Sequence, residues 1–547
     1  MKIRRLLPLL VIVAGIFYSL FLLRQIPEGV YFSGDAGLKA LLSEQLAQGT
    51  GRLDLIPPAL AWVKDLWNAG LYPYQPPYAY HLGDRYFITF PYTFPWVTAP
   101  FFRLWGYYGL YVIPLLGTWV VWGLFYGACR LLRFSTSLTG LGLGLLIFAS
   151  PLTLYSAMYW EHSLAVALGF GSLVLMGWAR QQRSARWQVF VSGVGLGLAV
   201  AFRPEFLAVL ALAIAIAWGQ ALLNLQWVKK WLKQLYRKPI PDQDLEFIPH
   251  PGIFSLSAIG TALLFFGSNQ LIYGHYLGIH GLQAIEKVTL GQKFKNAIAG
   301  VEGMGGTFLV FMPIISFFLF YCLFLLINRS RIKPDWLLLS IYGLSLLLLG
   351  LIAFLVPPGT EGLIAGGKQW GTRFLLFLVP ILLLATLAAF RHILQSEKPW
   401  LKYAGIACFS GLLWLSFQKN TLEGTAYLHK SYQNIAPAIA FLTDQPDSVI
   451  AVSHQFVGQV LQAPVKGEKL WFIAADINQL TKLTQALHQQ NIARFLYVCY
   501  PFAPCPLPQL PSDRLRLGNG PSAQSVHFEF LGKKGKYPVY QGFISVN

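Results

Sequence analysis

The chain has 547 residues, 55% of them hydrophobic and only 12% charged. A soluble domain carries about 25% charged residues, so an ordinary globule is excluded and a polytopic α-helical membrane protein is expected. The formal net charge is +19, yet the basic residues sit between apolar runs and form no periodic face, which argues against nucleic acid as a partner and for membrane lipid.

Lys2, Arg4 and Arg5 precede the apolar stretch Leu6 to Leu23. Secretory signals begin this way too, but here Arg24-Gln-Ile-Pro27 follows in place of a small-residue cleavage site. The stretch is read as an uncleaved anchor with a cytoplasmic amino terminus. A first outer loop, 24–105, comes next and contains Tyr31-Phe-Ser-Gly-Asp-Ala-Gly-Leu-Lys39. From Ala36 to Gln48, Leu38, Leu41, Leu42 and Leu46 recur at helical spacing, which predicts an amphipathic helix lying at the membrane interface. The Pro- and aromatic-rich piece Tyr72 to Trp105 predicts irregular chain packed on lipid headgroups or other loops.

Crossing a hydrocarbon core of ~30 Å takes about 20 apolar residues. Eleven segments meet or approach that length: 6–23, 106–128, 138–157, 162–180, 187–202, 205–227, 253–273, 306–327, 336–356, 374–391 and 402–417. Alternate loops collect the positive charge, at Arg130 and Arg133; Arg180, Arg183 and Arg186; Lys229, Lys230, Lys233, Arg237 and Lys238; Arg329, Arg331 and Lys333; and Arg391, Lys398 and Lys402. The turn at 158–161 has none. These basic loops are expected on the cytoplasmic side. Arg203-Pro-Glu205 interrupts the long stretch 187–227; it is read as an outer turn between two helices, because a single helix would carry the following basic loop outside. Eleven spans leave the carboxyl terminus extracytoplasmic, at a membrane of the bacterial plasma (inner) type.

The outer face then holds the first loop, a middle loop at 274–305, a Gly-rich loop at 357–373 and the tail. Within the tail, strand-like runs occur at Ser448 to Ser453, Leu470 to Ala475 and Ala493 to Tyr500, with a helical pattern between the second and third. The expected organisation is a transmembrane domain, 1–417, and a small extracytoplasmic α/β domain, 418–547. Cys129, Cys322 and Cys408 fall in apolar spans as packing residues, whereas Cys499 and Cys505 are placed to form a disulfide if the tail faces an oxidising compartment.

Polar residues converge on this outer face. Asp35 stands just outside the first span with Lys39 one helical turn on; it reads as a base for a membrane-dissolved substrate, or as a helix N-cap, and Lys39 as a substrate contact or a snorkelling cation. Glu161 and His162 open a helix after a short turn, where ionisable groups are costly and mark a site; capping by Glu161 beside a solvated His162 is the alternative. Arg203 and Glu205 read as ligand contacts, or as an ion pair with each other or with Glu161. In Gly366-Gly-Lys-Gln-Trp-Gly-Thr-Arg373, glycines permit close backbone approach while Lys368 and Arg373 flank the indole of Trp370. That suits a phosphate beside a sugar or lipid, or else an interfacial aromatic belt. No metal signature is visible and no cofactor is read from the sequence, with a divalent ion left open.

The order of these features resembles the GT-C superfamily of integral membrane glycosyltransferases, in the branch of protein mannosyltransferases and aminoarabinose transferases. The matching elements are Gly34-Asp35 with Leu41-Leu-Ser-Glu-Gln-Leu-Ala-Gln-Gly49; Asp84-Arg-Tyr-Phe-Ile-Thr-Phe-Pro91 through Ala99-Pro100-Phe-Phe; Gly193 to Arg203-Pro204; and Gly366-Gly367 to Trp370-Gly371 with Arg373. They span residues 1 to about 417. Many relatives carry two adjacent acidic residues in the first loop, whereas Ala36 follows Asp35 here, which weakens the case for a metal. The resemblance implies transfer of a sugar from a polyprenyl-phosphate donor to a glycan, lipid or protein acceptor at the non-cytosolic face. Asp35 would be the general base, Arg203, Lys368 and Arg373 would stabilise the departing phosphate, and a single displacement would invert the anomeric carbon. A polytopic transporter or lipid flippase, with charges lining a passage, is the alternative.

Overall fold

The computed structural model describes residues 2–182, 185–223, 249–279, 289–327, 335–356, 369–507, 514–517 and 524–546. Gly366, Gly367 and Lys368 lie outside the described residues, as do Arg183 and the basic residues of 229–238 and 329–333. By backbone clustering the chain forms two compact units. One comprises 1–23, 113–278 and 284–426; the other comprises 24–112, 279–283 and 427–547. The first loop, 24–105, thus falls in the unit that also contains 427–547.

The first unit is helical. Among the described residues, seven helices are long and apolar enough to cross a membrane, or nine if each of two bent pairs counts as one span. The bends fall at prolines that cannot continue a helix: 53° where Pro151 follows Thr136–Phe148, and 115° between Gly291–Phe311 and Ile315–Ile327, around Pro313. Two further expected spans, Arg186–Phe202 and Leu378–Leu394, are helices of 17 residues, about 26 Å long at ~1.5 Å per residue. The chain is an integral membrane protein, but length and composition do not establish all eleven expected spans. Cys129 and Cys322 are buried as expected of packing residues, whereas Cys408 is exposed.

Small and hydroxylated residues bring these helices together, as expected where surrounding lipid offers no hydrophobic gain for association. A Cβ at Gly193 would meet Ser257 Oγ at 2.0 Å and Phe254 O at 2.6 Å, and one at Gly197 would meet Ala258 O at 2.7 Å. The helix ending at Arg203 is therefore in backbone contact with Pro251–Tyr273. Ser172 and Ser192 donate to each other's carbonyl oxygens at 2.7 and 2.8 Å, fixing Arg186–Phe202 beside His162–Ala179. These contacts set Glu161 and Arg203 at adjacent helix ends.

The second unit is α/β. A hairpin, β1 (Ala79–Leu82) and β2 (Arg85–Ile88), comes from the first loop. The tail contributes β3 (Val449–Val452), β4 (Leu470–Ile473), β5 (Arg494–Val498), β6 (Arg514–Leu517), β7 (Gln524–Lys534) and β8 (Tyr537–Val546). They form one mixed sheet in the order β4-β3-β5-β8-β7-β6, with β3 parallel to β4 and β5 and the remaining pairs antiparallel. The three runs expected to be strands are β3, β4 and β5, and the helix expected between the last two is Ile477–Gln489. Loop and tail share one apolar core: Leu38, Trp67 and Tyr72 pack in the same cluster as Phe472, Leu483 and Tyr497, and the Trp67 indole donates to Trp471 O at 3.0 Å. Cys499 and Cys505 are joined in a disulfide.

Candidate active site

In the first unit, six of the sequence-predicted residues form one connected group. Arg203 ends its helix, and its Nη1 lies 3.0 Å from Glu161 Oε1 while its Nε lies 2.7 Å from Glu205 Oε1. Side-chain exposures of 1% for Glu161, 8% for Glu205 and 11% for Arg203 make this a buried triad. Glu161 occupies the N-cap position of His162–Ala179, but its side chain makes no capping hydrogen bond; the carboxylate goes to Arg203. The ion-pair alternative for Arg203 and Glu205 is thus realised, with both glutamates as partners.

The Arg203 guanidinium lies 5.1 Å from the centroid of Phe374, and that of Arg373 lies 5.1 Å from the same ring and 5.5 Å from Trp160. Cations on aromatic faces stay charged while partly stripped of water. His162 is buried at 2% exposure, against the expectation of a solvated ring, with its centroid 5.2 Å from Trp160 and 5.5 Å from Tyr155. Tyr155 in turn donates its hydroxyl to Trp370 O at 3.0 Å. Trp370 is buried within the protein, not set in an interfacial belt.

Its indole donates to Asn420 Oδ1 at 3.3 Å, and Asn420 Nδ2 donates to Phe311 O at 2.7 Å and Ser416 O at 3.0 Å. Asn420 lies in a single π-helical turn, Gln418–Glu423, a distortion often kept at functional sites. The same turn carries Lys419, whose Nζ sits 5.2 Å from the Phe311 ring and 5.5 Å from Trp370. Neither residue stood out in the sequence, although a Gln-Lys-Asn run ending an apolar helix is the signal that could have pointed to them.

In the second unit, Asp35 is the second residue of the helix Gly34–Ala47. Ser33, not Asp35, is the N-cap: its Oγ accepts from Ala36 N at 3.4 Å. The capping alternative for Asp35 is therefore removed, while its place in the first turn still suits a negative charge near the helix's positive end. Lys39 is 2% exposed and does not snorkel; its Nζ lies 4.7 Å from the Phe90 ring and 5.9 Å from Phe94. The helix packs in protein, with Leu38 and Leu42 in the shared core. Gly37 explains part of this, since a Cβ there would sit 1.8 Å from Gln459 O. Among the described residues no group of three or more His, Cys, Asp or Glu side chains gathers as a metal site would.

No family model matches the chain, and no curated protein matches it in sequence. Solved structures do match in fold. ArnT from Cupriavidus metallidurans in the apo state aligns over 97% of both chains at 11% identity with a TM-score of 0.52. The same protein bound to undecaprenyl phosphate gives 0.51 over the same shares at the same identity. The chain shares the fold of ArnT. A more distant structure, the oligosaccharyltransferase AglB from Archaeoglobus fulgidus, covers 90% of this chain and 69% of its own at 11% identity, with a TM-score of 0.47. The shared fold extends through the tail sheet, because the ArnT alignment leaves almost none of either chain uncovered.

Proposed function

We propose that the protein is a membrane glycosyltransferase that moves a sugar from a polyprenyl-phosphate donor to an acceptor hydroxyl at the non-cytosolic face. The observation that carries this reading is the fold agreement over 97% of both chains with ArnT, whose structure is solved with undecaprenyl phosphate bound. In the proposed step, Asp35 takes the proton from the acceptor hydroxyl as its oxygen bonds to the anomeric carbon. The bond from that carbon to the donor phosphate breaks, the phosphate leaves with the electron pair, and the anomeric configuration inverts.

Arg373 is the favoured ligand for the departing phosphate, because a guanidinium fork matches phosphate oxygens, and here it lies against the Trp160 and Phe374 rings. Lys368, in the same loop, would add a second charge. Arg203, held by two carboxylates, is better suited to shaping the wall on which Arg373 and Phe374 rest. Glu161, Glu205 and His162 support that wall, and Trp370 offers an aromatic edge. Lys39, one turn from Asp35, would orient the acceptor side.

The test is to incubate the purified protein with a panel of undecaprenyl-phosphate-linked sugars and glycan, lipid and peptide acceptors. The reading expects acceptor-dependent release of undecaprenyl phosphate for at least one donor. Movement of labelled lipid across proteoliposomes with no bond broken would favour the flippase alternative. The proposed orientation puts the tail outside, so an exposed Glu468→Cys label should react with an impermeant reagent from that side only.

A further inference from the structure

Gln455, Gln459 and Gln462 are spaced to fall on one face of the tail helix Gln455–Leu461 and its cap. That face packs on the first loop. Gln455 Oε1 accepts from the backbone N–H of Gln75 at 3.0 Å and from Gln459 Nε2 at 3.2 Å, and the Tyr74 hydroxyl donates to Gln462 Oε1. Gln459 is 1% exposed. Its Oε1 has no hydrogen-bond partner among the described residues, and it lies against the start of the Asp35 helix: a Cβ at Gly34 would sit 2.4 Å from that oxygen. The backbone oxygen of the same residue closes off Gly37, at 1.8 Å from where a Cβ would be. One tail residue therefore touches the glycines on both sides of Asp35.

We infer that Gln459 is a positioning residue for Asp35, so that the tail is part of the transfer machinery. This rests on Asp35 being the base of the proposed reaction. A buried acceptor without a donor is unfavourable, and Met would fill the same space without that penalty, so packing alone does not account for an amide at 459. The amide is a wedge: tied through Nε2 to Gln455, it fixes how near Gly34 comes and hence where the next residue's carboxylate is held. Misplacing a reacting group by ~1 Å costs about 100-fold in rate.

The experiment uses the full-length protein in nanodiscs, with Gln459→Met, Gly34→Ala, the Gly34→Ala/Gln459→Ala double variant, and Asp35→Asn as reference. For each, kcat is measured with the best undecaprenyl-phosphate sugar of the panel, together with Kd for undecaprenyl phosphate and Tm. Gln459→Met and Gly34→Ala should each lower kcat at least ~10-fold while Kd and Tm stay near wild type. The double variant should regain part of the Gly34→Ala loss, since it deletes the atom nearest the new methyl group. Normal kcat in folded Gln459→Met and Gly34→Ala overturns the inference, as does a parallel fall in kcat, donor affinity and Tm. An Asp35→Asn protein at full rate sinks the base assignment and this inference with it. An inactive Asp35→Asn beside fully active Gln459 and Gly34 variants sinks this inference alone.

Discussion

Replacing Arg203 by Met separates a structural cation from a phosphate ligand. The side chain is 11% exposed and touches Glu161 at 3.0 Å and Glu205 at 2.7 Å, so two carboxylates already hold its guanidinium. A phosphate ~4 Å from the guanidinium would gain about 4 kcal/mol at an effective dielectric of ~20, but would lose about 5 to 6 kcal/mol to two carboxylates roughly 6 Å away. Repulsion wins, and Arg203 should not hold the donor. Its removal takes a charged partner from two buried carboxylates, which costs about 3–5 kcal/mol. Arg203→Met should therefore lower the melting temperature by several degrees in detergent, while the folded fraction keeps wild-type affinity for undecaprenyl phosphate. Adding Glu161→Gln and Glu205→Gln should restore much of the lost stability. A stable Arg203→Met protein that no longer binds undecaprenyl phosphate would refute this reasoning and make Arg203 a ligand.

Asp35→Asn should reduce transfer by ~10² to 10⁴-fold, the range of general-base catalysis, with Tm near wild type because Ser33 and not Asp35 caps the helix; near-normal turnover would remove Asp35 as the base. Arg373→Ala should weaken undecaprenyl-phosphate binding without a matching loss of stability, measured by titration and thermal unfolding, and unchanged affinity would exclude it as the phosphate ligand. Burial holds the His454 imidazole below its ordinary range, and its Nδ1 accepts from Phe456 N at 3.2 Å only while unprotonated. The fold thus favours the neutral ring: this stabilisation is complete above the unfolded-state value of about 6.5 and is lost as pH falls below it. Thermal unfolding should show the tail weakening over that acidic window, and His454→Gln should flatten the dependence; identical pH profiles for the two proteins would refute it.

Hydrophobic run length was enough, in sequence, to settle membrane residence, because spanning hydrocarbon requires long apolar helices whatever their partners. Alternation and turn residues likewise marked β3, β4, β5 and the helix Ile477–Gln489, whose patterns are local. Composition also singled out Glu161, His162, Arg203, Glu205, Trp370 and Arg373, since charged and indole groups are sparse in such a chain. Tertiary structure decided what each one touches. The sequence left Arg203 between ligand contact and ion pair; only the packing of Gly193 and Gly197 on a neighbouring helix, with the Ser172–Ser192 bonds, brought Glu161 into reach. The helix Gly34–Ala47 shows the same limit. Its leucine spacing fixes an apolar face, but periodicity cannot say whether lipid or protein covers that face, and here the cover is a core shared with the tail hundreds of residues away. Gln459 had no signature at all, because a contact between a glycine and a distant amide leaves no periodic trace in either segment.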